Sequence, residues 1–343
     1  MPTSKQQNKS LKHFLTGEEL TSAQVWSLLS LAQQFKINAQ KVRGIAGATK
    51  TQGLNFTDLT ASSDFLLDTK NLLSGKTVAL VFEKPSLRTR VSFTVGIQEL
   101  GGQVVKLTSG QKKNEDPEDS IRVLQGMVHG VMVRTFEHEI LERMVSKATI
   151  PVINGLSDLH HPCQALADLQ TLAENFDIKS SSANAKERIK LAYVGDGNNV
   201  LHSLLLLLPK MGIDVHYACP QGYKPNPQII EKALAQNSVG QIHSFKTPQE
   251  AVRDVHAIYT DVWTSMGQEE EAIAREQAFA GYQVDVQLLS LARPDAIVMH
   301  CLPMVKGKEI SAEVVELAGS RIFAQAENRL HAQKALLCHL FQE

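Results

Sequence analysis

The feature that most constrains this chain is a rhythm. Short apolar runs rich in β-branched residues recur at 77–82, 104–107, 131–133 and 151–153, then at 189–194, 215–219, 257–259 and 297–299, with helical patterns between them. The runs are apolar throughout rather than alternating, as strands covered on both faces require. Strand–helix alternation of this kind predicts an α/β fold with parallel sheets joined by right-handed crossovers and flanked by helices. A helix is expected over 88–100, stopped by Gly101-Gly102, and another over 161–176, with Leu166, Leu169, Leu172, Ala173 and Phe176 on one face. The last, over about 327–341, is apolar at Leu330, Ala335, Leu336, Leu337 and Leu340 and needs a partner surface. At 343 residues the chain has room for two domains. The polar stretch 177–188 reads as a surface loop between the two sets of strands.

Composition narrows the function classes. The 35 basic and 36 acidic residues nearly cancel, which argues against a chain that tracks nucleic-acid phosphates. Cys163, Cys219, Cys301 and Cys338 lie far apart with no CxxC pair, so neither a structural zinc site nor a redox dithiol is expected. The longest apolar run, 204–209, falls short of the ~20 residues needed to span a bilayer, and the N-terminus resembles neither a signal nor a transit peptide. The expectation is a cytoplasmic protein with reduced thiols.

In open α/β sheets the chemistry sits at the carboxyl ends of the strands. There the sequence places Ser86-Leu87-Arg88-Thr89-Arg90, Arg134, His161-Pro162-Cys163-Gln164, Gly195-Asp196-Gly197-Asn198-Asn199, Asp261, and His300-Cys301-Leu302-Pro303. Two hydroxyls and two guanidiniums at a strand-to-helix turn suit an anion, because free backbone N–H groups, the helix dipole and forked arginines all favour one. A capped helix whose arginines pair with carboxylates explains the same residues. His161 and Gln164 lie one turn apart, so one can serve a carbonyl oxygen and the other an amide NH2, or the histidine merely opens the helix. Cys301 reads as a small buried hydrophobe, since a nucleophile needs a base and His300 falls on the opposite face if the strand continues. Gly195-Asp196-Gly197 lacks the third glycine of a dinucleotide fingerprint, because position 200 is Val.

Taken together these segments resemble the aspartate and ornithine transcarbamoylase family, the ornithine branch most closely, from about residue 11 to 340. Its Ser-Thr-Arg-Thr-Arg motif stands here as Ser86 to Arg90, and its His-Pro-x-Gln-x-Leu-Ala-Asp motif as His161 to Asp168. Asp261 to Gly267, His300 to Pro303 and Ala326-Glu327-Asn328-Arg329 match three more motifs, in order. The resemblance implies transcarbamoylase-like architecture: a carbamoyl-phosphate-binding domain over 1–155 and an ornithine-binding domain over 156–324, each with a central parallel sheet, and a C-terminal helix, 325–343, packing back on the first. It implies carbamoyl transfer from carbamoyl phosphate to the δ-amine of ornithine, with no cofactor and no metal. Ser86, Arg88, Thr89 and the Leu87 amide would hold phosphate; Arg134, His161, Gln164 and Arg329 the carbamoyl end. Asn199, Asp261, Ser265 and the Met266 amide would hold the α-amino and carboxylate groups, with Cys301 and the Leu302 carbonyl at the reacting centre.

Arg88, Arg134 and His161 would then act as cationic donors to the developing oxyanion, with Asp261 and Cys301 the groups around the amine proton. Two departures stand out. Leu87 replaces the usual threonine, keeping the backbone N–H and losing a hydroxyl. The 109–115 loop resembles the aspartate-branch loop that reaches a neighbouring subunit, which implies a homotrimer or a multiple of trimers with Ser109 and Lys113 crossing the interface. Other readings are a relative acting on putrescine or an N-acylated ornithine, a nicotinamide dehydrogenase using 195–199, and an inactive interaction protein. The Asp261 and Ser265-Met266-Gly267 set favours a free α-amino acid, and Ser86 to Arg90 would have no task in a dehydrogenase.

Overall fold

A computed structural model describes residues 13–44, 69–108, 115–181, 188–236, 238–264 and 269–342. Ten strands form two five-stranded sheets. The first contains β1 (His13–Phe14), β2 (Thr77–Phe82), β3 (Gln103–Thr108), β4 (Gly130–Arg134) and β5 (Val152–Leu156) in the order β1-β5-β4-β2-β3. The second contains β6 (Lys190–Val194), β7 (Asp214–Ala218), β8 (Ile242–Phe245), β9 (Ala257–Thr260) and β10 (Ile297–His300) in the order β10-β9-β6-β7-β8. Every pairing is parallel, as the unbroken apolar runs predicted.

All eight expected strands form, with ends within two residues of the predicted ones in most cases. β5 runs on to Leu156, past the predicted end at 153. Two edge strands were not expected. β1 is only two residues long, and β8 reads Ile-His-Ser-Phe with no fully buried side chain, so neither carries the apolar signature of a central strand.

In each sheet the chain steps outward in one direction and then crosses to the other side, which opens a crevice at the carboxyl ends of two adjacent strands. In the first sheet that point lies between β2 and β4; in the second it lies between β6 and β9.

Two helices bind the halves together. Helix Pro162–Asn175 was expected to bury one apolar face, yet thirteen of its residues, Pro162 to Glu174, are buried, polar ones included. Its other face meets the last helix, Ile322–Phe341, which starts before the predicted position and also packs on helices Ser22–Val42 and Arg88–Glu99. Lys36 donates to Glu174 at 2.8 Å and to Asn328 at 2.8 Å, an interior ion pair joining three helices. One apolar core runs from Phe14 and Phe82 through Leu166 and Leu172 to Tyr193, Tyr259 and Leu336.

Candidate active site

The first crevice gathers the anion-binding candidates. β2 is fully buried after Thr77, and the chain leaves it through Pro85 into helix Arg88–Glu99. Leu87 already has helical dihedrals, and Ser86 Oγ accepts from Thr89 N–H at 3.3 Å. Ser86 therefore caps this helix, while the Leu87 side chain, 72% exposed, points away from the core. Arg134 ends β4, and Arg329 comes from the last helix.

Arg329, 2% exposed, donates to Gln164 Oε1 at 2.6 Å and to Thr89 Oγ1 at 3.1 Å. The Gln333 amide, oriented with its oxygen toward the guanidinium, accepts from Arg329 Nε at 3.0 Å. Among the described residues, Arg88, Arg134 and Arg329 form no ion pair with a carboxylate, which removes the reading of arginines neutralised by nearby acids. Burial, then the charges of Arg329 and Arg88, lowers the Arg134 pKa to about 10. Arg134 Nε and His161 Nδ1 are buried and find no partner among the described residues. Buried polar groups are rarely left unpaired, so these atoms mark a place for an acceptor the chain does not supply. Burial, followed by Arg329, Arg134 and Arg88, holds the His161 pKa well below its ordinary value. The expected third cationic donor is therefore a neutral imidazole.

The second crevice gathers the acidic group. Asp261 follows β9 and is 5% exposed. It accepts from Asn198 Nδ2 at 2.8 Å, from the Cys301 thiol at 2.9 Å and from Val262 N–H at 2.8 Å. Burial and the Asp261 charge push the Cys301 pKa well up, so its sulfur is a protonated donor. Asn198 also caps helix Asn199–Leu207 through Val200 N–H at 3.0 Å. Asn199 Nδ2 donates to the Ser157 carbonyl at 2.6 Å, tying this helix to the segment after β5. The crevices face one cleft: Asn199 ties the second to the segment after β5, and the Asp261 carboxylate raises the Arg88 pKa against the dominant effect of burial.

His300 does not point away as a continuing strand would require. The strand ends there, Leu302 turns with φ +61°, and the Leu302–Pro303 peptide is cis. Ligand atoms of Asp261, His300 and Cys301 lie within 4.8 Å of one another. This set has the donor types for a cation, but the His300 ring is committed: Nδ1 accepts from Leu302 N–H at 2.9 Å and Nε2 donates to Glu309 at 3.1 Å. The glycine pair of 195–199 serves packing. A Cβ on Gly197 would lie 2.2 Å from Pro225 N, so the chain needs glycine there for a close backbone approach.

Ser86, Leu87, Arg88, Thr89, Arg134, His161, Gln164 and Arg329 thus meet at one end of the cleft, and Asn199, Asp261, Cys301 and Leu302 at the other. Ser109, Lys113, Ser265 and Met266 lie outside the described residues. Sequence reasoning missed Asn198, although an asparagine just before an apolar helix is a legible cap signal. It also gave no role to Asp168, Tyr259 and Gln325, whose hydrogen bonds form only in the folded chain. No helix among the described residues is long and apolar enough to cross a membrane.

A pair of parallel sheets with facing crevices, one gathering arginines that have no carboxylate partner among the described residues and one holding a buried carboxylate, defines an α/β cleft suited to an anion at one end and a cation at the other. Residues 12–174 match the carbamoyl-phosphate-binding domain of aspartate/ornithine carbamoyltransferases, and residues 187–340 match their aspartate/ornithine-binding domain. The chain belongs to the aspartate/ornithine carbamoyltransferase family. It is 43% identical over 335 residues to the ornithine carbamoyltransferase of Acidothermus cellulolyticus, covering 96% of each chain. The ornithine carbamoyltransferase of Listeria monocytogenes is 44% identical over 92% of this chain and 95% of its own. The structure of ornithine carbamoyltransferase from Pyrococcus furiosus superposes with a TM-score of 0.81 at 40% identity, covering 96% of both chains. That of the anabolic ornithine carbamoyltransferase from Campylobacter jejuni gives 0.80 at 36% identity, covering 96% of this chain and 98% of that one.

Proposed function

We propose that this chain is an ornithine carbamoyltransferase, moving the carbamoyl group of carbamoyl phosphate to the δ-amine of L-ornithine and releasing L-citrulline and phosphate. The observation that carries the reading is the meeting of three arginines without carboxylate partners opposite a buried carboxylate in the same cleft. In this reading Ser86, Thr89, Arg88 and the Leu87 amide bind phosphate. Arg134, His161, Gln164 and Arg329 bind the carbamoyl group, with charge developing on its oxygen as the neutral δ-amine attacks. Arg88 and Arg134 supply fixed positive charge, and His161 donates as a neutral imidazole.

Asp261 receives the amino-acid substrate with Asn199, Ser265 and the Met266 amide, while the Leu302 carbonyl and Cys301 border the amine. Because the Cys301 thiol is itself a donor, the pair offers one proton acceptor, the Asp261 carboxylate. The names of the relatives favour ornithine over putrescine or an N-acylated ornithine. Citrulline formation with ornithine, measured beside putrescine, N-acetylornithine and aspartate, tests this; turnover of another amine above ornithine would overturn it.

The same reading divides the chain at residue 155 into carbamoyl-phosphate and ornithine domains, with the last helix belonging to the first. It assigns the protein to arginine biosynthesis in the cytoplasm as a homotrimer whose Lys113 and Ser109 reach a neighbour's phosphate site. Leu87 and Val91, exposed and one helical turn apart, support assembly beside that site. Cyclic interfaces let each chain lend and receive the loop. Lys113→Ala and Arg88→Ala chains, dissociated, mixed and reassociated, should then regain activity well above either parent; confirmed mixed trimers with no recovery would refute the shared site.

A further inference from the structure

Asp168 is a carboxylate at zero exposure that touches no cation among the described residues. Its Oδ1 accepts from Gln164 Nε2 at 2.7 Å and from Gln325 Nε2 at 2.6 Å, and its Oδ2 accepts from the Tyr259 hydroxyl at 3.1 Å. Gln164 and Asp168 are one turn apart on one helix; Gln325 and Arg329 are one turn apart on another. The two pairs interlock, because Arg329 donates to Gln164 while Gln325 donates to Asp168. Gln325 Oε1 then accepts from His300 N–H at 2.9 Å, beside Cys301.

This circuit determines how the Gln164 amide faces. With guanidinium on one side and carboxylate on the other, only one orientation pairs donors with acceptors; the reverse sets N–H against N–H and oxygen against oxygen. We propose that Asp168 is a positioning residue that makes Gln164 present an acceptor, not a donor, to the carbamoyl group, and that ties this setting through Gln325 to the Cys301 loop. The proposal rests on the carbamoyl-transfer reading. An acceptor there selects the NH2 of a carbamoyl group over the methyl of an acyl phosphate of similar shape, because the NH2 can donate to the second lone pair of the Gln164 oxygen and a methyl cannot. Burial raises the Asp168 pKa to about 7 against the opposing effect of its hydrogen bonds and Arg329. Such a carboxylate is costly to keep, in accord with a positioning task. The charged or titratable groups facing it are Arg329 from the last helix, Tyr259 from β9 and Cys301 after β10.

Three variants test it: Asp168→Asn, Gln164→Glu, and the double variant, each followed by kcat against pH and by melting temperature against pH. Asp168→Asn should lower kcat about tenfold or more, as loss of a charged hydrogen bond predicts. In Gln164→Glu two carboxylates meet and share a proton, and the protonated partner replaces the lost amide donor. That variant should work on the acid side and lose both activity and stability as pH rises through the pair's upper ionisation. The double variant moves the carboxylate to position 164, where the NH2 of the new asparagine can pair with it, but it sets that NH2 against the Gln325 amide donor. Having one carboxylate instead of two, it should lack the new ionisation.

Wild-type kcat in folded Asp168→Asn, a wild-type pH profile in Gln164→Glu, or the same new ionisation in the double variant would each overturn the proposal. Should Asp168→Asn fail to fold, the Gln164→Glu profile decides alone. A wild-type enzyme that makes no citrulline would refute the function instead, and the melting curves would still report whether 164 and 168 are coupled.

Discussion

The two ends of the cleft are built in opposite ways. At the first-sheet end, donors outnumber acceptors: Arg134 Nε and His161 Nδ1 have no partner among the described residues, and three guanidiniums lie together without a carboxylate. At the second-sheet end, Asp261 is already satisfied by Asn198, Cys301 and Val262. A ligand at the first end adds hydrogen bonds to groups that lack them. One at the second end competes with bonds the chain already makes. Recognition energy should therefore concentrate at the arginine end, while the acidic end supplies selectivity at lower net gain.

The sharpest break of this contrast is Arg88→Ala. It should lower turnover ~100–1,000-fold, about 3–4 kcal/mol, with the circular dichroism spectrum unchanged. Turnover near wild type at saturating substrate would erase the difference between the ends. Asp261→Asn also removes the proton acceptor and so lowers turnover, but in binding its effect should be modest, weakening ornithine by about 1–2 kcal/mol as a charge-assisted bond becomes a neutral one and leaving carbamoyl phosphate affinity unchanged. Calorimetric titration of ornithine into enzyme saturated with carbamoyl phosphate measures this; loss of carbamoyl phosphate affinity instead would reverse the assignment of the ends.

The contrast also has a pH axis. Behind the arginine end His160 packs against His138 and His202, with ring centroids 4.9 and 6.3 Å apart, and burial pushes its pKa down to about 2. The unfolded chain binds this proton below about pH 6.5 and the folded chain does not, so stability is lost as pH falls from there. Behind the acidic end Asp196, paired with Arg275 at 2.9 Å, has its pKa raised by burial to about 6. Its contribution has the opposite sign, present at low pH and lost as pH rises toward that value. His160→Gln should recover about 1.4 kcal/mol at pH 5.5 relative to pH 7.5, read from urea unfolding at both values. An equal acid loss in variant and wild type would place the sensitivity elsewhere.

The smallest effect is a gain. Arg134→Met removes a buried guanidinium that repels buried Arg329 and half-buried Arg88, so it should raise stability by about 1 kcal/mol, or ~2–4 °C in melting temperature, while abolishing most activity. A lower melting temperature would mean that Arg134 is held by bonds within the chain rather than kept for a ligand.

Much of this organisation was legible in the sequence. The apolar runs located the central strands because those strands are buried on both faces. Ser86 to Arg90 could be read because one turn concentrates its chemistry. Asn199, Asp261 and Cys301 needed the resemblance to a family, since no local spacing marks them. Other features were hidden for physical reasons. β8 pairs through backbone groups on an edge and needs few apolar side chains. Asp168, Thr171 and Glu174 look like the wet face of an amphipathic helix until the last helix covers them. His300 was misplaced because the strand stops where extrapolation carries it on. The neutrality of His161 follows first from its burial and then from three arginines contributed by distant parts of the chain.

The return of the last helix has a consequence for how the protein is made. Arg329 completes the arginine end, yet it is translated after both sheets. Domains tend to fold in order of synthesis, so the first sheet can form while its binding site still lacks a side chain. A chain that stops short of the last helix lacks the Arg329 guanidinium beside Gln164 and Thr89. Competence of the arginine end therefore waits for the last helix to be made and to dock.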